Sequence, residues 1–348
     1  MDGSFHVAGR VALPRPEMSS DDAEARKRRS RILRTALKIG FTVLALVLVA
    51  RIVDPAALVD RARRTEPLFF AVAILLMVVQ IPLVSLRWRR IVKTMSLERS
   101  RVPSVSQFHQ ITYIAQLFGQ VLPFIAGDGL RVLFLREAGA SLRVAFKSTL
   151  LDRGVAALVL FAIVVPGLML SPIVAAAKPY VVPVVVLVVT ALAGAAVALA
   201  TAGVIARFGA RWRVLGAITE TILDLRTILL NRRYAWNVVG ICLAIHAISI
   251  FVFWLLAKGQ RLPFEITDAV AVVPLVLLVS MVPIAVGGWG VREGFVVALL
   301  GAAGVGAEDA LLLSLSFGTV VLVAALPGVV VLALSTRASA RRAGPAET

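Results

Sequence analysis

The sequence predicts an all-α membrane protein, a polytopic helical bundle with six full spans and two re-entrant hairpins related as inverted-topology internal repeats. Three observations lead there. The 348 residues are 59% hydrophobic and only 16% charged, with a mean hydropathy of +0.91, whereas a soluble domain carries about a quarter charged residues. Several apolar runs approach or exceed the roughly 20 residues that a membrane-crossing helix needs. Two further apolar segments, 105–127 and 268–305, run into Pro and Gly and then into charge.

Residues 1–32 are rich in charge, Pro and Ser and end in the basic cluster RKRRSR, the composition of a disordered tail. No apolar core followed by a small-residue cleavage site lies among them, so no cleavable signal peptide is expected. The folded domain is expected over 33–336, with a C-terminal tail at 337–348. Its first span, 34–53, is interrupted by Lys38 and Arg51, whose long stems can reach the interfaces. PLFFAVAILLMVVQIPLVSL at 67–86 is the second span, and later spans are expected near 154–175, 180–206, 236–257 and 310–335. In LGAITETILDLRTILL, Leu215, Ile218, Ile222, Leu225 and Leu229 follow three–four spacing, which predicts an amphipathic helix on the inner surface.

Lys and Arg beside the spans set the orientation. The flanks 26–38, 87–101, 131–153 and 207–233 and the C-tail hold seven, six, five, six and three, 27 in all; loops 54–66, 174–180 and 258–268 hold six. Both termini are therefore expected in the cytoplasm of a multi-pass cell-membrane protein. The net charge of +17 is spread along membrane flanks, where it favours anionic lipid headgroups and membrane phospholipids as partners, not nucleic acid. Residues 87–101 and 131–153 both belong inside, so 105–127 enters from the cytoplasm and turns back at AGDG. By the same parity 268–305 enters from outside and returns there. Pro123 and Gly127 recur 160 residues later as Pro283 and Gly287. Gly129, Arg131, Pro166 and Gly167 recur 161 residues later as Gly290, Arg292, Pro327 and Gly328. Repeat 1 (about 105–175) and repeat 2 (about 268–335) are separated by an odd number of crossings and so are inverted, an architecture that recurs in proteins moving substrates between leaflets.

The hairpin breaks carry the candidate chemistry. Non-helical backbone at membrane depth is tolerated only where protein or a hydrated cavity satisfies its polar groups. Pro123, Gly127 and Gly129 mark one break, and Pro283, Gly287, Gly288 and Gly290 the other. Asp128 stands at the start of a new helix, where a carboxylate can cap free N–H groups, and Arg131 lies on its first turn. Arg292 and Glu293 hold the matching place in the second repeat. Intramembrane charges are costly and face bundle interiors or hydrated pathways, and an arginine there can clamp phosphate through two hydrogen bonds. Asp152 and Arg153 open a later span, where adjacent opposite charges also serve as topological anchors. Arg87, Trp88, Arg89 and Arg90 read as an aromatic–arginine belt. Gln120 is expected to bond broken backbone or line the cavity, and His246 to be a packed polar residue. No metal motif, Walker loop or dinucleotide fingerprint occurs, so no metal or cofactor is expected. The single cysteine, Cys242, forms no intramolecular disulfide.

FGQVLPFIAGDGLRVLFLREAG, STLLDRGVAALVL and VPIAVGGWGVREG, in that order, resemble the transmembrane region of lysylphosphatidylglycerol synthases, which also occurs as stand-alone flippase-like membrane proteins. The likeness spans about 35–335. It implies translocation of a phosphate-headgroup lipid, aminoacylated phospholipid among the options, and points to Asp128, Arg131, Asp152, Arg153, Arg292 and Glu293. Gln120 stands where the family often shows Asn, and Ala126–Gly127 where it often shows two glycines. No aminoacyl-transferase domain is present, which leaves room for a separate lipid-modifying enzyme as partner. Two alternatives stay open: a membrane-embedded enzyme or accessory subunit of lipid-linked glycosyl transfer using Asp128 and Asp152, and a non-transporting scaffold.

Overall fold

The computed structural model describes residues 55–95, 102–122, 125–171, 178–209, 213–281 and 288–342. The expected tail 1–32, the 34–53 span and the break residues Pro123, Pro283 and Gly287 lie outside the described residues. Every described regular element is helical: α1 (Pro55–Arg64), α2 (Pro67–Met95), α3 (Val105–Val121), α4 (Ile125–Glu137), α5 (Leu142–Leu170), α6 (Lys178–Gly209), α7 (Arg213–Leu230), α8 (Arg232–Gly259), α9 (Ile266–Ser280), α10 (Val291–Gly301), α11 (Ala307–Ala325) and α12 (Pro327–Arg342). Among the described residues, five stretches are long and apolar enough to cross a membrane, within α2, α5, α6, α8 and the nearly continuous α11–α12.

Local chemistry sets the helix starts. Ser104 accepts from the Gln107 amide while Gln107 returns a bond to the Ser104 N–H, a reciprocal cap that opens α3. Ser141 caps α5 through the Val144 N–H. That cap corrects the expected span at 154–175: α5 begins at Leu142, so Lys147, Asp152 and Arg153 lie inside the helix and not at its mouth. The expected aromatic–arginine belt at the end of α2 is also corrected. Arg87 is 5% exposed and Trp88 fully buried, because α2 continues to Met95 and carries both inside the bundle. The C-terminal helix α12 extends through Arg342.

The two segments that run into Pro and Gly are each a pair of short helices, α3 with α4 and α9 with α10, in contact within the pair. Each pair packs on a long helix from the other half of the chain: α9 lies on α5, and α3 lies on α12. A Cβ at Gly167 would sit 2.7 Å from the Val270 carbonyl oxygen, and one at Gly328 2.5 Å from that of Tyr113. Apolar surface gains little by leaving lipid for protein, so such close backbone approach is what binds helices here. The core proper joins α8, α9, α10 and α11 around Phe253, whose ring stands 5.5 Å from Phe317 and 5.9 Å from Phe264. Leu68, Leu75, Val186 and Leu187 face outward, as a lipid-facing surface allows.

Ion pairs tie the helix ends into two groups. Arg61 pairs with Asp309, Arg261 with Glu66 at 3.0 Å and Lys258 with Glu265 at 3.0 Å. Arg143 pairs with Glu220, Lys147 with Asp224, and Arg90 donates to Asn237 at 3.3 Å. Glu66 and Arg90 stand at the two ends of α2, about 36 Å apart at 1.5 Å rise per residue, so the groups mark opposite ends of the bundle. α7 joins the second end with Thr219 and Ile228 buried. Its inward face is thus offset from the expected stripe, since Leu215 and Ile218 are exposed.

Candidate functional site

Three arginines and two aspartates from three helices, α2, α4 and α5, meet beside the first break. Arg87 on α2 donates Nε to Asp152 Oδ1 at 2.8 Å and Nη2 to Oδ2 at 3.2 Å, a bidentate clamp. Arg131 on α4 donates Nη1 to the same Oδ2 at 2.9 Å. Arg153 donates Nε and Nη2 to Asp128 at 2.9–3.2 Å, and Asp128 lies 3.8 Å from Arg131. The Arg131 guanidinium stacks 4.3 Å above the Trp88 ring, which Ser148 orients by accepting the indole N–H. Arg87 also donates Nη1 to Cys242 Sγ at 3.1 Å.

The network carries three positive charges against two negative ones. Asp152 is 1% exposed and Arg131 5%, so the surplus is held away from bulk water. Arg131 Nε and Nη2 are buried without a hydrogen-bond partner. Unpaired buried donors are expensive. A cation held this way has two donors that an anion's oxygens can satisfy.

The second break is built more simply. Gly290, with φ of 85°, occupies the left-handed region that favours glycine and precedes α10. Its N–H goes to Glu293 Oε2, while Glu293 Oε1 accepts from Arg292 Nε at 3.0 Å. Arg292 lies 4.7 Å from the Trp289 ring centre, and a methyl group at Gly318 would overlap its guanidinium. Arg292 is 4% exposed and Glu293 fully buried.

Both breaks open on adjoining cavities. One, of about 110 Å³, is lined by Asp128, Arg131, Asp152, Arg153, Gln120 and Gly127 among others. The other, of about 220 Å³, reaches Arg292 and is lined also by Gln80, His246, Ser249 and Ser280. Val84, Arg87, Gln116, Gly119, Gln120 and Arg153 belong to both walls. Along α2 the larger wall runs from Met77 to Arg87, about 15 Å of helix rise. On the opposite side of the Asp128–Arg153 pair lies an apolar groove of about 320 Å³ between α4 and α5, with Gly129, Val132 and the outward-facing Phe146 and Leu150 in its walls.

The structure thus places Gln120, Asp128, Arg131, Asp152, Arg153 and Arg292 on the walls of two adjoining cavities. Glu293 stands behind Arg292, outside the lining. Gly127 presses on α3, where a Cβ would meet the Ala115 carbonyl at 2.6 Å, and Gly288 presses on Ser280 with φ of 77°. Asp128 lies in the first turn of α4, yet its carboxylate is turned to Arg153. His246 is packed as expected, but it also lines the cavity. Sequence reasoning missed Arg87, Gln80, Gln116 and Gly318. The available signal for Arg87 was Asp152: a carboxylate inside a span needs a cation nearby.

Residues 35–338 match the family described as the lysylphosphatidylglycerol synthase TM region. The chain belongs to this family. The match takes in every described helix from α1 to α11 and most of α12, including both breaks and the arginine network between them. No curated protein matches the chain.

Proposed function

We propose that this member of the lysylphosphatidylglycerol synthase TM family is a membrane lipid translocase, moving a phosphate-headgroup lipid between leaflets. The observation that carries this reading is the shared wall of the two cavities, with the unpartnered donors of Arg131 on one side and the Arg292 guanidinium on the other. Arg131 and Arg292 bind the headgroup from opposite leaflets. Asp128 and Glu293 offset their charge, Asp152 and Arg153 hold the network, and Gln120 contacts the headgroup. The acyl chains stay in lipid, with the α4–α5 groove leading to the Asp128–Arg153 pair.

Six spans, two re-entrant hairpins and inverted repeats are part of the proposal, and the register supports them. At a constant spacing of 161, Gly127 rests on Gly119 as Gly288 rests on Ser280, and Gly167 presses on α9 as Gly328 presses on α3. The two groups of ion-paired helix ends coincide with the two sides assigned by Lys and Arg counting, which supports cytoplasmic termini in the cell membrane. Aminoacylated phospholipids are one candidate cargo, and a separate lipid-modifying enzyme one candidate partner.

The membrane-embedded enzyme has one observation in its favour, since Asp128 and Asp152 do line one cavity. Both carboxylates are occupied by guanidinium groups, however, and neither is placed to exchange a proton with a substrate. The scaffold reading makes every charge swap at the breaks silent. Arg131→Ala and Arg292→Ala protein, checked for intact helicity and monodispersity, should lose at least tenfold in headgroup translocation in reconstituted vesicles. Wild-type rates in both variants would falsify the proposal.

A further inference from the structure

We infer that the groove between α4 and α5 seats an acyl chain of the transported phospholipid at the lipid boundary, and that the Asp128–Arg153 pair is the gate its headgroup passes to reach the arginine network. The inference rests on the translocase reading and gives it a lateral entry. Position is the first ground. Asp128 and Arg153 line the small polar cavity on one side and the apolar groove on the other. Asp128 belongs to α4 and Arg153 to α5, so the pair ties the two walls of the groove together along its inner edge. Phe146 and Leu150 in those walls face outward, and the Thr149 hydroxyl is spent on the Ala145 carbonyl at 2.9 Å. A cleft with apolar walls, open to lipid and closed inwardly by a guanidinium, matches an acyl chain followed by a phosphate.

Gly129 is the second ground. Glycine inside a helix is less stable than alanine, so its presence needs a reason. Gly127 has one, since a Cβ there would strike the Ala115 carbonyl. Gly129 has neither a left-handed φ nor a close neighbour: a Cβ would meet nothing within 4 Å. What its missing side chain leaves open is the groove. The third ground is which ion pair can open. The side chains of Asp152, Arg87 and Arg131 are 1–6% exposed, and separating them strands buried charge. Those of Arg153 and Asp128 are 37% and 20% exposed, and partly solvated pairs are weak. A lipid phosphate offers Arg153 two oxygens in place of those of Asp128, while Asp128, already 3.8 Å from Arg131, turns to that cation.

The test uses the full-length protein in phosphatidylcholine vesicles with two probes, phosphatidylglycerol and lysylphosphatidylglycerol, each carrying a mid-chain diazirine or an acyl-chain fluorophore. After photolysis, at least one diazirine probe should label Phe146 and Leu150 at least fivefold more than Val186 and Leu187, which face outward on α6. Equal labelling with both probes overturns the acyl seat and leaves ordinary boundary lipid. Translocation is read by reduction of the outward-facing dye. The rate should fall in the order Gly129→Ala, Gly129→Leu, Gly129→Trp, by at least tenfold at Trp. Each of these residues favours helix over glycine, so a lost rate is not a lost α4. A wild-type rate in Gly129→Trp overturns the gate while translocation itself stands. If the wild-type protein moves neither lipid, the translocase reading and the gate fail together, and the labelling alone decides the acyl seat.

Discussion

Asp152→Asn is the most informative single change. The native carboxylate is 1% exposed and accepts three charge-assisted hydrogen bonds from two buried guanidinium groups. Asparagine keeps one acceptor oxygen and turns an NH₂ toward a guanidinium donor, so one or two of those bonds are lost, depending on which oxygen is kept. At about 1.5–3 kcal/mol for a hydrogen bond to a charged group, the loss is about 1.5–6 kcal/mol. Removing one member of a buried pair generally costs about 3–5 kcal/mol, and the two figures overlap. The local charge also rises from one surplus positive to two. SDS-driven unfolding in mixed micelles, followed by tryptophan fluorescence, reads the change, and Trp88 beside Arg131 reports on the network itself. Combining Asp152→Asn with Arg87→Gln restores the original surplus, so the double-mutant cycle should show a favourable coupling above about 1.5 kcal/mol. A single-mutant cost below about 1 kcal/mol, or strict additivity in the cycle, would refute the account of Asp152 as the hub.

Gly318→Ala should displace the Arg292 guanidinium and press on the Trp289 ring, cutting translocation at least tenfold in reconstituted vesicles, and wild-type rates would remove Gly318 as the seat of that guanidinium. Gly167→Leu and Gly328→Leu push against backbone carbonyls and should each destabilise by about 1–3 kcal/mol or more; if only one of them does so in SDS unfolding, the reciprocal packing of α5 on α9 and α12 on α3 is not a symmetric device. Asp128→Arg with Arg153→Asp should recover translocation relative to either single change, and a double variant no better than the singles would show that the pair is not an interchangeable contact. In a Cys242→Ala background, Glu220→Cys and Glu308→Cys should be labelled by impermeant maleimide from opposite faces of the membrane, and labelling from one face would overturn the assigned topology.

Much of the architecture was legible from the chain because lipid imposes a one-dimensional rule. A span must be long and apolar, so α2, α6, α8 and α11–α12 could be placed by counting residues, and Pro and Gly marked where α3–α4 and α9–α10 break. The same rule misread two of the places where charge is buried. Arg87 lies 20 residues beyond Pro67 and reads as the end of a span, and Asp152–Arg153 reads as the start of one, because in sequence each is a polar residue at the edge of an apolar run.

What decided their role is a contact 65 residues long-range in the chain, Arg87 to Asp152, together with Arg131 arriving from a third helix. Sequence alone determined which segments are apolar enough to enter a membrane, where the basic flanks fall along the chain and that two arginines follow Pro/Gly breaks. Only the tertiary structure decided that three carboxylates are already taken, that Arg131 keeps two donors unpartnered and that the two breaks border adjoining cavities with common wall residues. Burial and hydrogen-bond satisfaction are properties of neighbours in space, and no residue carries them in its own identity.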